Sequence, residues 1–322
     1  MQLGAEGTLE RGTLLVLAPC PVCGGDQAEP VAVGSDLAHR TTGDNFLAVC
    51  CRECGLVRLD PRPDAATRPS LYPPSCFGAR SQATWAARRS ARAAARLAAR
   101  RCRPLPSDAR LLELGYSTRL HLDELRRAGP PTWALEGVSP HDTLARTYRL
   151  RGFAVGIGRA DSLTGYAEAY DAVLLLHALE HSEDPLNELI SARRLLRPGG
   201  RVVILTANTD SMVARLFQGR HWAGYDFPRH LTLFEARVLR RMAVEAGYQV
   251  ERIATVGSPL AWVDSTANLL QDWAALSWLA RPARRGSAIL YGLAVLVEAM
   301  ARLRGRGAWL EAVLRKLEGS QR

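Results

Sequence analysis

Lysine is almost missing from this sequence of 322 residues: of its 42 basic residues 41 are arginine, and Lys316 alone is lysine. GC-rich codons supply arginine without selection for it, so the excess by itself names no ligand. Long apolar runs are scarce too. The longest, Ala288 to Val297, has ten residues, against the ~20 that a bilayer-spanning helix needs, which excludes an integral helical membrane protein with a transmembrane segment. There is no Gly-x-x-x-x-Gly-Lys-Ser/Thr loop, which excludes a P-loop nucleotide hydrolase, and no Gly-x-Ser-x-Gly elbow. Gly156-Ile-Gly158 lacks the third glycine of a dinucleotide fingerprint. No early stretch combines basic residues, an apolar core and a cleavage site, so a cytoplasmic location is expected.

Acids are absent from 65–107, a segment with nine arginines that carries +9 of the formal net charge of +10. Such a patch suits phosphates, an acidic ligand or a membrane surface, or is simply a solvated helix face. Its arginine-rich part, 88–103, has no interleaved aromatic residues for base stacking, so nucleic acid is not an expected partner. Hydrophobic residues at 47% and charged residues at 23% are the values of a soluble globular chain.

Five of the seven cysteines fall in the first 54 residues, as Cys20-Pro-Val-Cys23 and Cys50-Cys51-Arg-Glu-Cys54. Two Cys-x-x-Cys pairs, each followed at once by glycine (Gly24, Gly55), form the knuckle pattern of a zinc ribbon. The two-residue gap lets both sulfurs reach one ion. Cys20, Cys23, Cys51 and Cys54 are the expected ligands of a structural Zn2+. Cys50 is a fifth candidate, although Cys51 has the better spacing to Cys54. Four unligated buried thiols are the alternative.

The organisation reads as a loose tail over 1–18, a zinc-ribbon module over 19–75 and an Arg/Ala-rich linker helix within 76–107. A core follows over 108–256, then a helical cap insert with a last strand over 257–322. In the helix Arg88, Arg92, Arg96 and Arg100 recur every four residues, opposite the small face Ala87, Ala91, Ala94 and Ala98. From Arg110 on, apolar runs (Arg110–Gly115, Trp133–Val138, Phe153–Gly158, Asp171–His177, Arg201–Thr206, Gln249–Val256) alternate with helical patterns. That alternation predicts an α/β chain with a mostly parallel sheet covered on both faces, whose ligands bind beyond the carboxyl ends of the strands. The apolar stripe of Leu290, Leu293, Leu296, Val297 and Met300 is expected to face protein as a cap or core. A membrane-surface helix and a dimer face are the alternatives.

At this point the chain resembles the class I S-adenosylmethionine-dependent methyltransferases, in a bacterial branch with an N-terminal cysteine module. The matching segments are Cys20-Pro-Val-Cys-Gly24, Cys51-Arg-Glu-Cys-Gly-Leu-Val57, Asp60-Pro-Arg-Pro63, Leu71-Tyr-Pro73 and Tyr170-Asp-Ala-Val-Leu-Leu-Leu-His-Ala-Leu-Glu-His181. Asp184-Pro185, Leu195-Leu-Arg-Pro-Gly-Gly-Arg-Val-Val-Ile204, Pro228-Arg-His-Leu231 and Ala246-Gly-Tyr248 continue it. The resemblance implies a Rossmann-like sheet of seven strands. It also implies S-adenosylmethionine as cofactor, held by Glu113, Gly115, Ser117, Arg119, Ser139, Asp161 and His177.

Several of these depart from the family's pattern. Ser117 and Arg119 stand at the second and third positions of Gly-x-Gly-x-Gly, and Ser139 stands where an acid grips the ribose. Each lost charge-assisted contact costs about 1.5–3 kcal/mol.

An oxygen or nitrogen acceptor needs a base, which histidine suits with a free pKa of about 6.5. His181 and His230 lie in segments that border the substrate pocket in proteins of this look and come first. His177, Glu180 and Tyr225 follow. His39, His121 and His141 have no such context and read as surface residues.

The resemblance implies methyl transfer to a small-molecule substrate such as a sugar or secondary metabolite. An enzyme that has abandoned S-adenosylmethionine for another reaction in the same pocket, and a non-catalytic partner protein, remain open. A homo-oligomer or a partner enzyme belongs to the same expectation.

Overall fold

Why the strands sit where they do follows from burial. The computed structural model describes residues 13–72, 77, 84–284 and 287–317; the expected tail as far as residue 12, Pro73, and Cys76 at the start of the linker segment lie outside them. The N-terminal module has five strands: β1 (Leu15–Val16), β2 (Ala28–Ser35), β3 (Asn45–Cys51), β4 (Val57–Leu59) and β5 (Arg62–Pro63). β2, β3 and β4 pair antiparallel and bury Phe46, Ala48, Val57 and Leu59. The end of the expected loose tail is ordered instead. Leu15 pairs with Pro63 and Val16 with Arg62, because Asp60-Pro-Arg-Pro63 runs extended and offers an open strand edge.

Thr84 caps α1 (Trp85–Cys102), its Oγ1 accepting from Ala87 N–H at 3.1 Å. Ala91, Ala94, Ala95, Ala98 and Ala99 are buried, while Arg88, Arg92, Arg96 and Arg100 are exposed. Without bulk on its inner face the helix packs against the next helix and the sheet. Arg101 turns in and pairs with the buried Glu311 at 2.5 Å.

The core follows as β6 (Arg110–Leu114), α2 (Leu122–Ala128), β7 (Ala134–Ser139), α3 (Asp142–Arg149), β8 (Ala154–Ile157), β9 (Tyr170–Leu176), α4 (Pro185–Leu195) and β10 (Leu196–Ala207). All seven residues of β9 are buried, as a central parallel strand covered on both faces requires. β10 is longer than its apolar run, since Leu196 already pairs with Tyr170. A bulge at Arg197-Pro-Gly-Gly200 then resets the register, with Gly199 at φ 77°.

The rest is α5 (Met212–Leu216), β11 (Thr232–Leu233), α6 (Ala236–Glu245), β12 (Tyr248–Val256), α7 (Pro259–Asp272), α8 (Ser277–Arg284), α9 (Ala288–Leu303) and β13 (Trp309–Lys316). The main sheet has seven strands in the order β12-β13-β10-β9-β6-β7-β8, with β13 antiparallel to both its neighbours. β11 leaves the core to pair with β4, completing a four-stranded sheet in the N-terminal module.

Of the expected inward stripe of α9, Leu290 and Val297 pack against the core as expected, and the rest is corrected. Tyr291, Ala294, Glu298 and Ala301 face inward, whereas Leu293, Leu296 and Met300 are exposed.

Candidate active site and thiol cluster

Each Cys-x-x-Cys knuckle closes on itself. Gly24 N–H donates to Cys20 O at 2.8 Å and Gly55 N–H to Cys51 O at 2.9 Å. Both glycines take the left-handed conformation, φ 74° and 79°. This brings the sulfurs of Cys20, Cys23, Cys51 and Cys54 within 4.8 Å of one another, a group able to hold a metal ion. Cys20 and Cys54, and likewise Cys23 and Cys51, are 3.5 Å apart. Cys50 stands outside the group, its thiol 3.8 Å from Cys51 O.

Beyond the carboxyl ends of β6, β9 and β10 lies a cavity of about 250 Å³. Ser117, Arg119 and His121 enter it from the β6–α2 turn, and His177 and Glu180 from the end of β9. Trp222 and His230 come from the α5–β11 connection, and Trp309 from the start of β13.

His177 is the centre of this wall. It adopts φ 55°, uncommon for a residue with a Cβ, and its N–H donates to Leu205 O at 2.8 Å. Its Nδ1 is 3.1 Å from Glu180 Oε1, and its ring meets Trp309 edge-on at 4.3 Å. Its Nε2 is buried with no hydrogen-bond partner. Burial pushes the imidazole below its usual range, with Glu180 opposing in part. Glu180 is fully buried and accepts from Thr206 Oγ1 at 2.8 Å. Burial would raise its pKa, but the hydrogen bond from His177 opposes this and the carboxyl ends below its usual range.

A second pair faces the same cavity. His121, expected at the surface, is buried; its Nδ1 lies 2.8 Å from Glu113 Oε1 and its N–H donates to the same carboxylate at 2.7 Å. Glu113 is thereby spent on His121. The signal was present in the spacing, since a strand-end acid and the first residues of the following helix meet across one turn.

The other expected bases separate. His230 lines the cavity, its Nδ1 donating to Gly224 O at 2.7 Å. His181 does not line it. It is buried between Tyr72 Oη at 2.9 Å and Arg229 O at 3.1 Å, and burial together with His230 takes it down to about 3. Tyr225 stacks on Phe227 beside the N-terminal module, and burial raises its phenol to about 12. His141 is not a surface residue either: its Nε2 is 3.2 Å from Tyr116 O, and the Tyr72 ring lies 4.7 Å away. His39 is exposed.

Three of the seven expected cofactor residues, Ser117, Arg119 and His177, line the cavity. Arg119 donates to Ala87 O of α1 at 3.4 Å. Gly115 packs so closely on Leu120 that a Cβ would lie 2.3 Å from its side chain. Ser139 is fully buried and its Oγ accepts from His141 N–H at 3.2 Å, while Asp161 is exposed.

Between the ends of β6, β7 and β8, where the resemblance puts the adenosine, stands the buried ring of Tyr116. Its hydroxyl donates to Glu188 Oε2 at 2.6 Å and accepts from Ala160 N–H at 3.0 Å, and the Arg159 guanidinium covers the ring at 4.3 Å. Arg159 also donates to Glu188 at 2.9 Å. The polar groups there are satisfied by the chain itself, so an adenosyl group does not fit while Tyr116 holds this position. Sequence reasoning passed over Tyr116, although a large aromatic residue directly after Gly115 was the clue.

The methyltransferase-domain family model matches residues 83–253, more than half of the chain. A ubiquinone biosynthesis O-methyltransferase of Cereibacter sphaeroides is 28% identical over 172 residues, 49% of this chain and 68% of that protein. A protein of 37.1 kDa in a transposon of Streptomyces fradiae is 29% identical over 158 residues, 46% of this chain and 45% of its own. Among solved structures the cyclase SpnF superposes with a TM-score of 0.50 at 19% identity, covering 73% of this chain and 83% of that one, a likeness of fold. Sheet order, strand-end cavity and family match agree: the chain belongs to the class I S-adenosylmethionine-dependent methyltransferase family and is an enzyme of that type.

Proposed function

We propose that the chain methylates a small-molecule acceptor, a sugar or secondary metabolite, seated in the cavity in front of His177. The carrying observation is the buried, unpartnered Nε2 of His177, held by Glu180 through the other ring nitrogen. Such a nitrogen takes a proton from an acceptor hydroxyl or amine, and Glu180 steadies the imidazolium that results. A volume of about 250 Å³ with Trp222 and Trp309 in its wall suits a compact, partly apolar molecule rather than a polymer. His230, its Nδ1 donating to the Gly224 carbonyl, lines the same cavity and would help orient the acceptor. S-adenosylmethionine, the family's cofactor, would supply the methyl group, and its entry requires Tyr116 to leave the crevice.

One observation favours a second reading, proton-transfer chemistry without a cofactor: the internally satisfied Tyr116–Glu188–Arg159 cluster. Product masses separate the two. A gain of one methylene unit that depends on S-adenosylmethionine supports methylation; turnover of the same acceptor without cofactor, at unchanged mass, overturns it.

For the thiol cluster we propose structural Zn2+, since four sulfurs at this spacing form a closed tetrahedral site. Metal analysis is expected to give one zinc per chain. Cys54→Ser is expected to lower the melting temperature by about 10 °C, because an incomplete site returns part of the metal's folding free energy. Cys50→Ser, outside the cluster, is expected to keep both metal and melting temperature.

A further inference from the structure

The α9 helix has two apolar faces, one packed on the core through Leu290, Tyr291 and Val297 and one turned away from the protein. On its inner side Glu298 accepts from Ser258 N–H at 3.1 Å, Trp262 Nε1–H at 2.6 Å and Ala308 N–H at 2.9 Å. On its outer side Ile289, Leu293, Leu296, Met300 and Leu303 are 80, 57, 64, 47 and 88% exposed. Their spacing of four, three, four and three residues makes one continuous aliphatic stripe, and nothing among the described residues covers it. A stripe of this extent on a folded surface marks a contact.

Charge identifies the partner. Glu298 is the only acid of α9 and it is turned in, so the exposed face carries no negative charge. Arg302 and Arg304, both exposed, close its C-terminal end. The N-terminus of α1 reaches α9 from its inner side, where the ring of Trp85 meets Tyr291 edge-on at 4.6 Å. Three, four, seven and eleven residues beyond Trp85 on the same helix face stand Arg88, Arg89, Arg92 and Arg96, all exposed.

We propose that this surface docks onto an anionic lipid bilayer, with the α9 stripe in the headgroup boundary and the α1 arginines on the lipid phosphates. Aliphatic residues rimmed by arginine, with tryptophan at the border, are the composition of a helix lying in an interface. The α9 helix has 16 residues, about 24 Å at 1.5 Å per residue, and no described helix is long and apolar enough to cross a membrane. It lies on the surface. A second copy of the chain is the poorer occupant, because a two-fold contact through this face would set one arginine rim against the other.

Co-sedimentation of the full chain with vesicles tests this. Vesicles of equal phosphatidylglycerol and phosphatidylcholine are expected to bind at least ~10-fold more tightly than phosphatidylcholine alone, and the preference to shrink as salt is raised. Leu293→Glu with Leu296→Glu is expected to weaken binding to both by ~10-fold or more. Arg92→Glu with Arg96→Glu is expected to erase the anionic preference while leaving the weak neutral binding. These positions face solvent; should the leucine pair misfold, Leu293→Ser serves as the milder probe. Absence of binding to anionic vesicles at about 1 mM lipid overturns the proposal. So does a wild-type dimer that the leucine substitutions return to monomer.

Discussion

With His177 changed to glutamine, turnover of the acceptor is expected to fall by about 10²–10⁴-fold, the usual contribution of a positioned general base. Glutamine fills similar space and can still meet Glu180, so KM is expected to move little and the loss to appear in kcat. The pH profile adds a readout that a merely structural histidine would not give. Only the neutral imidazole accepts a proton, and burial lowers its pKa from the ordinary value of about 6.5. The acid limb of kcat/KM therefore lies below that value, with full activity retained at pH 7. Glu180 opposes the burial effect, so Glu180→Gln removes the opposing charge, and the limb is expected to move to still lower pH while the rate drops. A limb unmoved in Glu180→Gln, or a His177→Gln enzyme within threefold of wild type, removes His177 from the role. The same measurements on His181→Gln are expected to show lost stability rather than a shifted limb, since that ring is locked between Tyr72 and Arg229.

Tyr116→Ala is expected to bind S-adenosylhomocysteine about 10–100-fold more tightly than wild type in calorimetry. The argument is one of populations. If the competent state is the one with the ring outside the crevice, the apparent affinity is reduced by the fraction of molecules in that state. Removing the ring makes every molecule competent. The cost is stability: the ring is buried and its hydroxyl is held by Glu188 and Ala160 N–H, so truncation is expected to destabilise by about 3–5 kcal/mol. Tyr116→Phe separates the two effects, because it keeps the ring and loses only the hydrogen bonds. A wild type that binds in the micromolar range, with Tyr116→Ala binding more weakly, would show the ring to be part of the nucleoside site and end this account of the crevice. Adding Ser139→Asp to Tyr116→Ala is expected to tighten binding further, by the roughly 1.5–3 kcal/mol of a charged contact to the ribose.

Much of the scaffold was legible because it depends on patterns a sequence carries openly. The buried run Tyr170–Leu176 could only be a central strand, and the two Cys-x-x-Cys-Gly knuckles brought four sulfurs together. The two-residue β1 was too short to leave a periodic signal. The orientation of α9 was legible only in part, with Leu290 and Val297 inward and Leu293, Leu296 and Met300 outward, because a stripe at helical spacing fixes which residues share a face, not where the edge of that face falls on the protein. At the site, Ser117, Arg119 and Ser139 were visible as departures. What replaces the missing contacts was not, because the direction of the Tyr116 side chain depends on a tight loop rather than on spacing. His177 and Glu180 stood three residues apart in the sequence, yet the turn at φ 55° that aims one at the other appears only in three dimensions.

The strand β11 has one more implication. Leu231, just before it, donates its N–H to Glu180 O at 2.8 Å, and its carbonyl accepts from Leu59 N–H at 3.0 Å. Beside it Arg229 reaches Asp36 at 2.7 Å in the N-terminal module. The backbone of Glu180, whose side chain holds His177, and the strand leading out of the second cysteine knuckle thus hang on the N–H and the C=O of a single residue, Leu231. The cysteine-bearing lobe is a buttress of the His177 cavity, and on the proposed role of His177 damage to the lobe is expected to be felt first as a slackened grip on that ring.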